Sequence, residues 1–147
     1  MKIALYIGSH EKDSWDVRLG CWLTRMVQRG NYSNVTHCEA ILDEFPDGTV
    51  TIASASLRDG GVRQKRTALV PGNWIIKDKP EWAVEKVRVL LARTEGEKYD
   101  FRGAFVCWLP FWWSTSNRWF CNQWVGELFL DSAEIFTPSQ FASIVLS

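Results

Sequence analysis

The spacing of apolar residues changes period twice along this chain. Residues 3–7 form a short, nearly continuous apolar run, which predicts a strand. From Trp15 the apolar positions Val17, Leu19, Trp22, Leu23, Met26 and Val27 recur at helical spacing, with Asp13 or Ser14 as N-cap and Gly30 as terminator. Residues 15–29 therefore predict an amphipathic helix. After the polar loop 31–34, residues 35–45 and 49–55 read as two strands joined at Pro46-Asp47-Gly48, an antiparallel hairpin. Residues 62–67 and 74–77 read as further short strands. The Asp59-Gly60-Gly61 turn leads into the first of them, its glycines permitting positive φ. Pro80 takes the favoured first position of a second helix, whose stripe Ala83, Val84, Val87, Leu90 and Leu91 runs to Ala92 before Gly96. Asp100 is placed to cap a third helix through Phe105 and Trp108, which Pro110 stops. Beyond the irregular residues 111–118, a helix from Cys121 to Leu130 carries Trp124, Val125, Leu128 and Phe129 at helical spacing, and Thr137-Pro138 opens a last turn or two. A helix, a run of adjacent strands and then helices is the α+β order, with an antiparallel sheet packed against helices.

Composition narrows the classes. The 147 residues fit one domain, 1–147, and a chain of this size buries roughly 70% of the surface its unfolded form exposes, so it needs no metal, cofactor or disulfide to fold. Lys plus Arg equals Asp plus Glu, 17 each, which removes the electrostatic reason to expect nucleic acid as a partner. The first apolar run is too short for a secretory signal, and no stretch approaches the roughly 20 apolar residues that span a bilayer. A cytoplasmic location is the expectation. There the four cysteines, none in a C-x-x-C pair, are expected as thiols.

Candidate chemistry rests on few residues. Of the two histidines, His10 sits among charged residues, whereas His37 lies in Val35-Thr36-His37-Cys38-Glu39-Ala40-Ile41. Strand alternation puts His37 and Glu39 on one face and Cys38 on the other. A carboxylate two residues along can orient an imidazole, although a solvated polar face accounts for the same pattern. Cys121 follows Trp119-Phe120 and starts an amphipathic helix, where free N–H groups and the helix dipole favour a thiolate. On spacing alone it reads equally as a buried structural cysteine. Cys21 and Cys107 fall on apolar helical stripes and read as core. A zinc site from Cys21, His37, Cys38 and Cys121 lacks ligand spacing, so no metal is expected.

Thr36-His37-Cys38-Glu39, Ser54-Ala55-Ser56, Arg58-Asp59-Gly60-Gly61-Val62-Arg63, Tyr99-Asp100-Phe101 and Trp119-Phe120-Cys121 together resemble a phage and prophage branch of the permuted papain-like hydrolases. These are YiiX/YebB-like relatives of the NlpC-type peptidases, and lecithin retinol acyltransferase has the same permuted order. The resemblance covers residues 35–125. It implies a circularly permuted papain-like (NlpC-type) α+β fold with Cys121 as nucleophile and His37 as base. In many relatives a third polar residue sits on the strand after the histidine strand. Here residues 49–55 offer only Thr51 and Ser54, so Glu39 is preferred as the third catalytic residue and Ser54 is second. Asn122-Gln123 after the cysteine departs from the Ser-Glu expected of many relatives.

Three functions follow. The first is a cysteine hydrolase cleaving an amide or peptide bond, including cell-wall peptide, through a Cys121 acyl-enzyme. The second is an acyltransferase or lipid hydrolase, which the aromatic run Leu109-Pro110-Phe111-Trp112-Trp113 favours as a contact with membrane or acyl chain. The third is a non-catalytic binding module.

Overall fold

The computed structural model describes residues 1–8, 15–28, 30–106, 118–128 and 137–147. In chain order the elements are β1 (Lys2–Tyr6), α1 (Trp15–Val27), β2 (His37–Glu44), β3 (Thr49–Ser56), β4 (Gly61–Ala68), β5 (Trp74–Asp78), α2 (Val84–Thr94), β6 (Lys98–Tyr99), α3 (Phe101–Val106), β7 (Arg118–Trp119), α4 (Cys121–Gly126) and α5 (Pro138–Leu146). This is an α+β protein. The strands form one sheet in the order β5-β1-β2-β3-β4-β6-β7, antiparallel except for the short β6–β7 pair.

The hairpin around Pro46-Asp47-Gly48 is present as β2–β3, with Ala40 opposite Ala53, Ile41 opposite Ile52 and a register irregularity between Ile41 and Asp43. Gly48 supplies the positive φ of 78° and Asp47 Oδ1 accepts from the Thr49 N–H at 3.0 Å, so local turn chemistry sets the register. Two strands, β6 and β7, are too short for any alternation to reveal. They form because tertiary contacts deliver them: Val62 N–H donates to Glu97 O at 2.8 Å, and Gly61 allows that approach. A Cβ on Gly61 would lie 2.0 Å from Glu97 O.

Alternation sorts the sheet into two faces. Ile3, Leu5, Cys38, Ala40, Ala53 and Val62 share one continuous core with α2, α4 and α5, centred on Trp124 and Phe141. The other face carries the smaller cluster Ala4, Ile41, Val50 and Ile52, against which Trp74 packs. Across a cleft from that face stands α1. Its C-terminal end is pinned by Arg25, which donates to Gly8 O at 2.7 Å, and by Gln28, which donates to Val35 O at 2.9 Å.

Several expected boundaries shift. Pro80 does not begin α2. It lies in a turn closed by Trp82 N–H on Lys79 O at 3.0 Å, and Ala83 is extended (φ −80°, ψ 122°) as the residue before the helix. Trp82 packs against the core, and that anchor keeps the chain out of helix until Val84. The last helix is longer than a turn or two, nine residues, because Thr137 and Gln140 form a reciprocal capping box ahead of Phe141, Ala142 and Val145 in the core. Cys21 is only half-buried and lines the cleft rather than the core, since α1 leaves Trp22 and Met26 exposed. Among the described residues no helix is long and apolar enough to cross a membrane. His10, Cys107, the Leu109–Trp113 run and the expected extension of α4 to Leu130 lie outside the described residues.

Candidate active site

The position of Cys121 is set from the far end of its own helix. Trp124 is fully buried, its indole N–H donates to Thr94 Oγ1 at 2.9 Å, and that hydroxyl donates to Leu90 O at 2.8 Å. A buried indole needs such a partner, and this one fixes how α4 is rotated on α2. Cys121 and Asn122 then open the helix over β2, after Phe120 in extended conformation (φ −117°, ψ 162°). Cys121 is the first helical residue, as its spacing predicts.

The partner histidine comes from the start of β2. His37 is the first residue of that strand, so its ring lies at the strand end, beside both Cys121 and Glu39. Nε2 lies 2.8 Å from Glu39 Oε1. Glu39 accepts there, which makes Nε2 the donor and leaves Nδ1 as the ring nitrogen that Glu39 does not engage. The structure thus brings His37, Cys121 and Glu39 together. A solvated face does not describe Glu39, whose side chain is 2% exposed.

Arg63 is the site residue that sequence reasoning missed. Its Nη1 donates to Glu39 Oε2 at 2.8 Å and its Nη2 to Oε1 at 2.6 Å, a two-pronged clamp on the buried carboxylate. Its Nε donates to Asp59 Oδ2 at 2.6 Å, and Lys65 Nζ reaches the same oxygen at 2.8 Å. Register is what places it: Ser54 pairs with Arg63 across β3–β4, which puts Arg63 on the Glu39 face of the sheet. Ser54 itself is fully buried on that face and donates to Ala55 O at 3.4 Å.

These contacts set the protonation states. Burial disfavours the charged His37 ring, but the charges of Cys121 and Glu39 and the hydrogen bonds to both outweigh it and raise the pKa to about 9. Burial also opposes ionisation of Glu39, yet His37 and Arg63 hold it down at about 2. The Cys121 thiol is pushed well below its ordinary range, first by a hydrogen bond from the Cys38 thiol and then, against burial, by the His37 charge and hydrogen bond. Cys38 moves the opposite way, raised by burial and by its Cys121 neighbour. Both shifts run toward a Cys121 thiolate beside a His37 imidazolium.

A cleft of about 580 Å³ opens on the face opposite the main core, and His37, Glu39 and Arg63 contribute to its wall. Leu19 and Leu23 of α1, with Ile52, Leu69 and Trp74 from the sheet side, make the rest largely apolar. Tyr99 lines it as well, whereas Asp100 caps α3 by accepting the Gly103 N–H at 2.8 Å. Among the described residues, no group of three or more His, Cys, Asp or Glu is placed to hold a metal.

No family model, curated protein or solved structure matches this chain.

Proposed function

We propose that the protein is a cysteine hydrolase of the permuted papain-like type, with Cys121 as nucleophile, His37 as acid and base and Glu39 as the group that orients the ring. One observation carries the reading: the His37 ring has Cys121 as a close neighbour and the buried Glu39 carboxylate 2.8 Å from Nε2. The thiolate sulfur attacks a carbonyl carbon. The intermediate collapses as the His37 imidazolium gives its proton to the leaving nitrogen or oxygen, and a Cys121 thioester remains. Water then attacks the thioester carbon, His37 takes its proton, the S–C bond breaks and the acid is released. Glu39, fixed by Arg63, keeps Nε2–H directed away from the sulfur so that Nδ1 handles the proton.

A specific observation favours an acyl group over a hydrophilic cell-wall peptide as the bound portion of substrate: the cleft that His37 lines, with Cys121 on the core side of the ring, exposes mostly apolar surface, to which Leu19, Leu23, Ile52, Leu69 and Trp74 contribute. The test is a series of p-nitrophenyl esters and anilides from acetyl to decanoyl, with a small peptide amide beside them, read by product release and by the mass of Cys121 peptides. An acyl adduct on Cys121, absent in Cys121→Ser and slowed in His37→Ala, is expected, with longer chains reacting at lower concentration. No adduct with any member, together with an unreactive Cys121 thiol, would return the protein to the binding-module reading. Adducts only with the peptide amide would keep the hydrolase and remove the acyl preference.

A further inference from the structure

The mechanism above uses one of two thiols that lie together. Cys38 and Cys121 are 83 positions apart, yet Cys38 Sγ is 3.4 Å and Cys121 Sγ 3.3 Å from the same oxygen, Asn122 Oδ1. The two sulfurs are therefore neighbours across one amide oxygen, and each shifts the other's ionisation. Hydrolysis uses only one sulfur as nucleophile. Cys38 packs in the same helix-covered cluster as Cys121, on the face away from the cleft.

We propose that Cys38 is the resolving partner of Cys121, closing it into a reversible disulfide when a hydroperoxide oxidises it. The Cys121 thiolate attacks one peroxide oxygen, the O–O bond breaks, and hydroxide or alkoxide leaves with the electron pair, so Cys121 becomes a sulfenic acid. The Cys38 sulfur then attacks the Cys121 sulfur. The S–O bond breaks, the hydroxyl departs with the Cys38 proton as water, and an S–S bond remains. The order of events follows from access. Cys121 retains 4% exposure while Cys38 has none, so a molecule as small as a peroxide meets Cys121 first. The effect is protective, because an unresolved sulfenic acid proceeds to sulfinic acid, which thiols do not reduce. It also switches the site off, since the nucleophilic sulfur is held in the bond until a dithiol releases it. The inference rests on the hydrolase reading only for the thiolate at Cys121, not for any turnover.

The full chain is treated with a small excess of hydrogen peroxide near neutral pH, with dimedone present to trap sulfenic acid. Peptides are then mapped by mass before and after reduction with dithiothreitol. The wild type is expected to give a Cys38–Cys121 linked peptide that dithiothreitol abolishes, and little dimedone adduct. Cys38→Ala is expected to raise the dimedone and sulfinic signals on Cys121 at least tenfold and to lose activity that dithiothreitol does not restore. Circular dichroism and the iodoacetamide rate at Cys121 check that the variant is folded and keeps a reactive thiol. Cys38→Ser serves if the alanine variant does not fold. Equal dimedone and sulfinic yields in wild type and variant, or linkage of Cys21 to Cys121 as often as Cys38, would overturn the proposal. Because the readout is mass, a protein that forms the disulfide but hydrolyses nothing sinks the hydrolase reading alone.

Discussion

The proton on His37 offers the sharpest test of the site, and Cys121→Ser is the perturbation. The rise of His37 from 6.5 to about 9 is a gain of several hundredfold in proton affinity, about 3 kcal/mol. Two unit charges about 4 Å apart interact by about 4 kcal/mol at the effective dielectric of a protein site. A thiolate and a carboxylate beside the ring are thus enough for such a gain even against the burial penalty. Of the two, Cys121 contributes more than Glu39. Removing the thiolate while keeping a hydroxyl should therefore lower the His37 pKa by well over tenfold in affinity, back toward the ordinary value. Glu39→Gln should lower it too, but by less. The assay is a pH titration of the imidazole carbon-bound protons by NMR, which is simple here because the chain has only two histidines. Selective loss of one resonance in His10→Gln assigns the pair. A His37 resonance titrating near 6.5 in the intact protein would refute the reasoning. So would one near 9 that does not move in Cys121→Ser, since either result means that no thiolate faces the ring.

Iodoacetamide should modify Cys121 faster than Cys38 or Cys21 at pH 6, despite its burial, and peptide mass mapping over a pH series reads the rates; equal rates for Cys121 and Cys38 would mean an ordinary thiol. Arg63→Met should cost about 3–5 kcal/mol in chemical denaturation by leaving Glu39 without its clamp, whereas Lys65→Met, whose pair with Asp59 is more exposed, should cost under about 1 kcal/mol; similar losses would place the Arg63 contribution at the surface. Stability should fall at both ends of the pH range. Glu39 is depressed from 4.5 to about 2, so its contribution is full above about pH 4.5 and is lost as pH falls toward 2. His37 is raised to about 9, so its contribution is full below pH 6.5 and is lost as pH rises through 9. A denaturation midpoint flat from pH 2 to pH 10 would contradict both.

The parts of this structure legible in the sequence are those set by local pattern. The β2–β3 hairpin follows from a turn cluster between two apolar runs, and Cys121 at a helix start follows from aromatic residues ahead of a 3.6-residue stripe. Proline at a helix start misled for a stated reason: Trp82 packs into the core and overrides the local preference at Pro80. Likewise β6 and β7, two residues each, exist only because other strands present edges to them. At the site, His37, Glu39 and Cys121 were readable as candidates from spacing and residue type, which left a solvated face and a structural cysteine equally open, and their joint role came from the resemblance. Arg63 and the Cys38–Cys121 contact were not, because each depends on register or on how α4 is rotated on the sheet. A one-residue slip of β4 against β3 would turn Arg63 to the other face.

The charges around Cys121 form a chain of alternating sign that runs from the surface into the core. Lys65 holds Asp59, Asp59 and Glu39 hold Arg63, Glu39 holds His37, and His37 faces the Cys121 sulfur. With Cys121 as thiolate the six groups sum to zero, three of each sign. A lone thiolate with 4% exposure would revert to the thiol, since burial of an unpaired charge costs several kcal/mol. The imidazolium alone would offset that, but it too is desolvated and needs Glu39, and Glu39 at 2% exposure needs Arg63. Each link is therefore a condition for the next one inward. The part of the chain that meets water, Asp59 and Lys65, sits on the turn and strand that carry Arg63. Residues 58–63 on that view are the outer anchor of the Cys121 charge. Replacing them should reach Cys121 through proton equilibria, with an effect that weakens at every step from Arg63 outward.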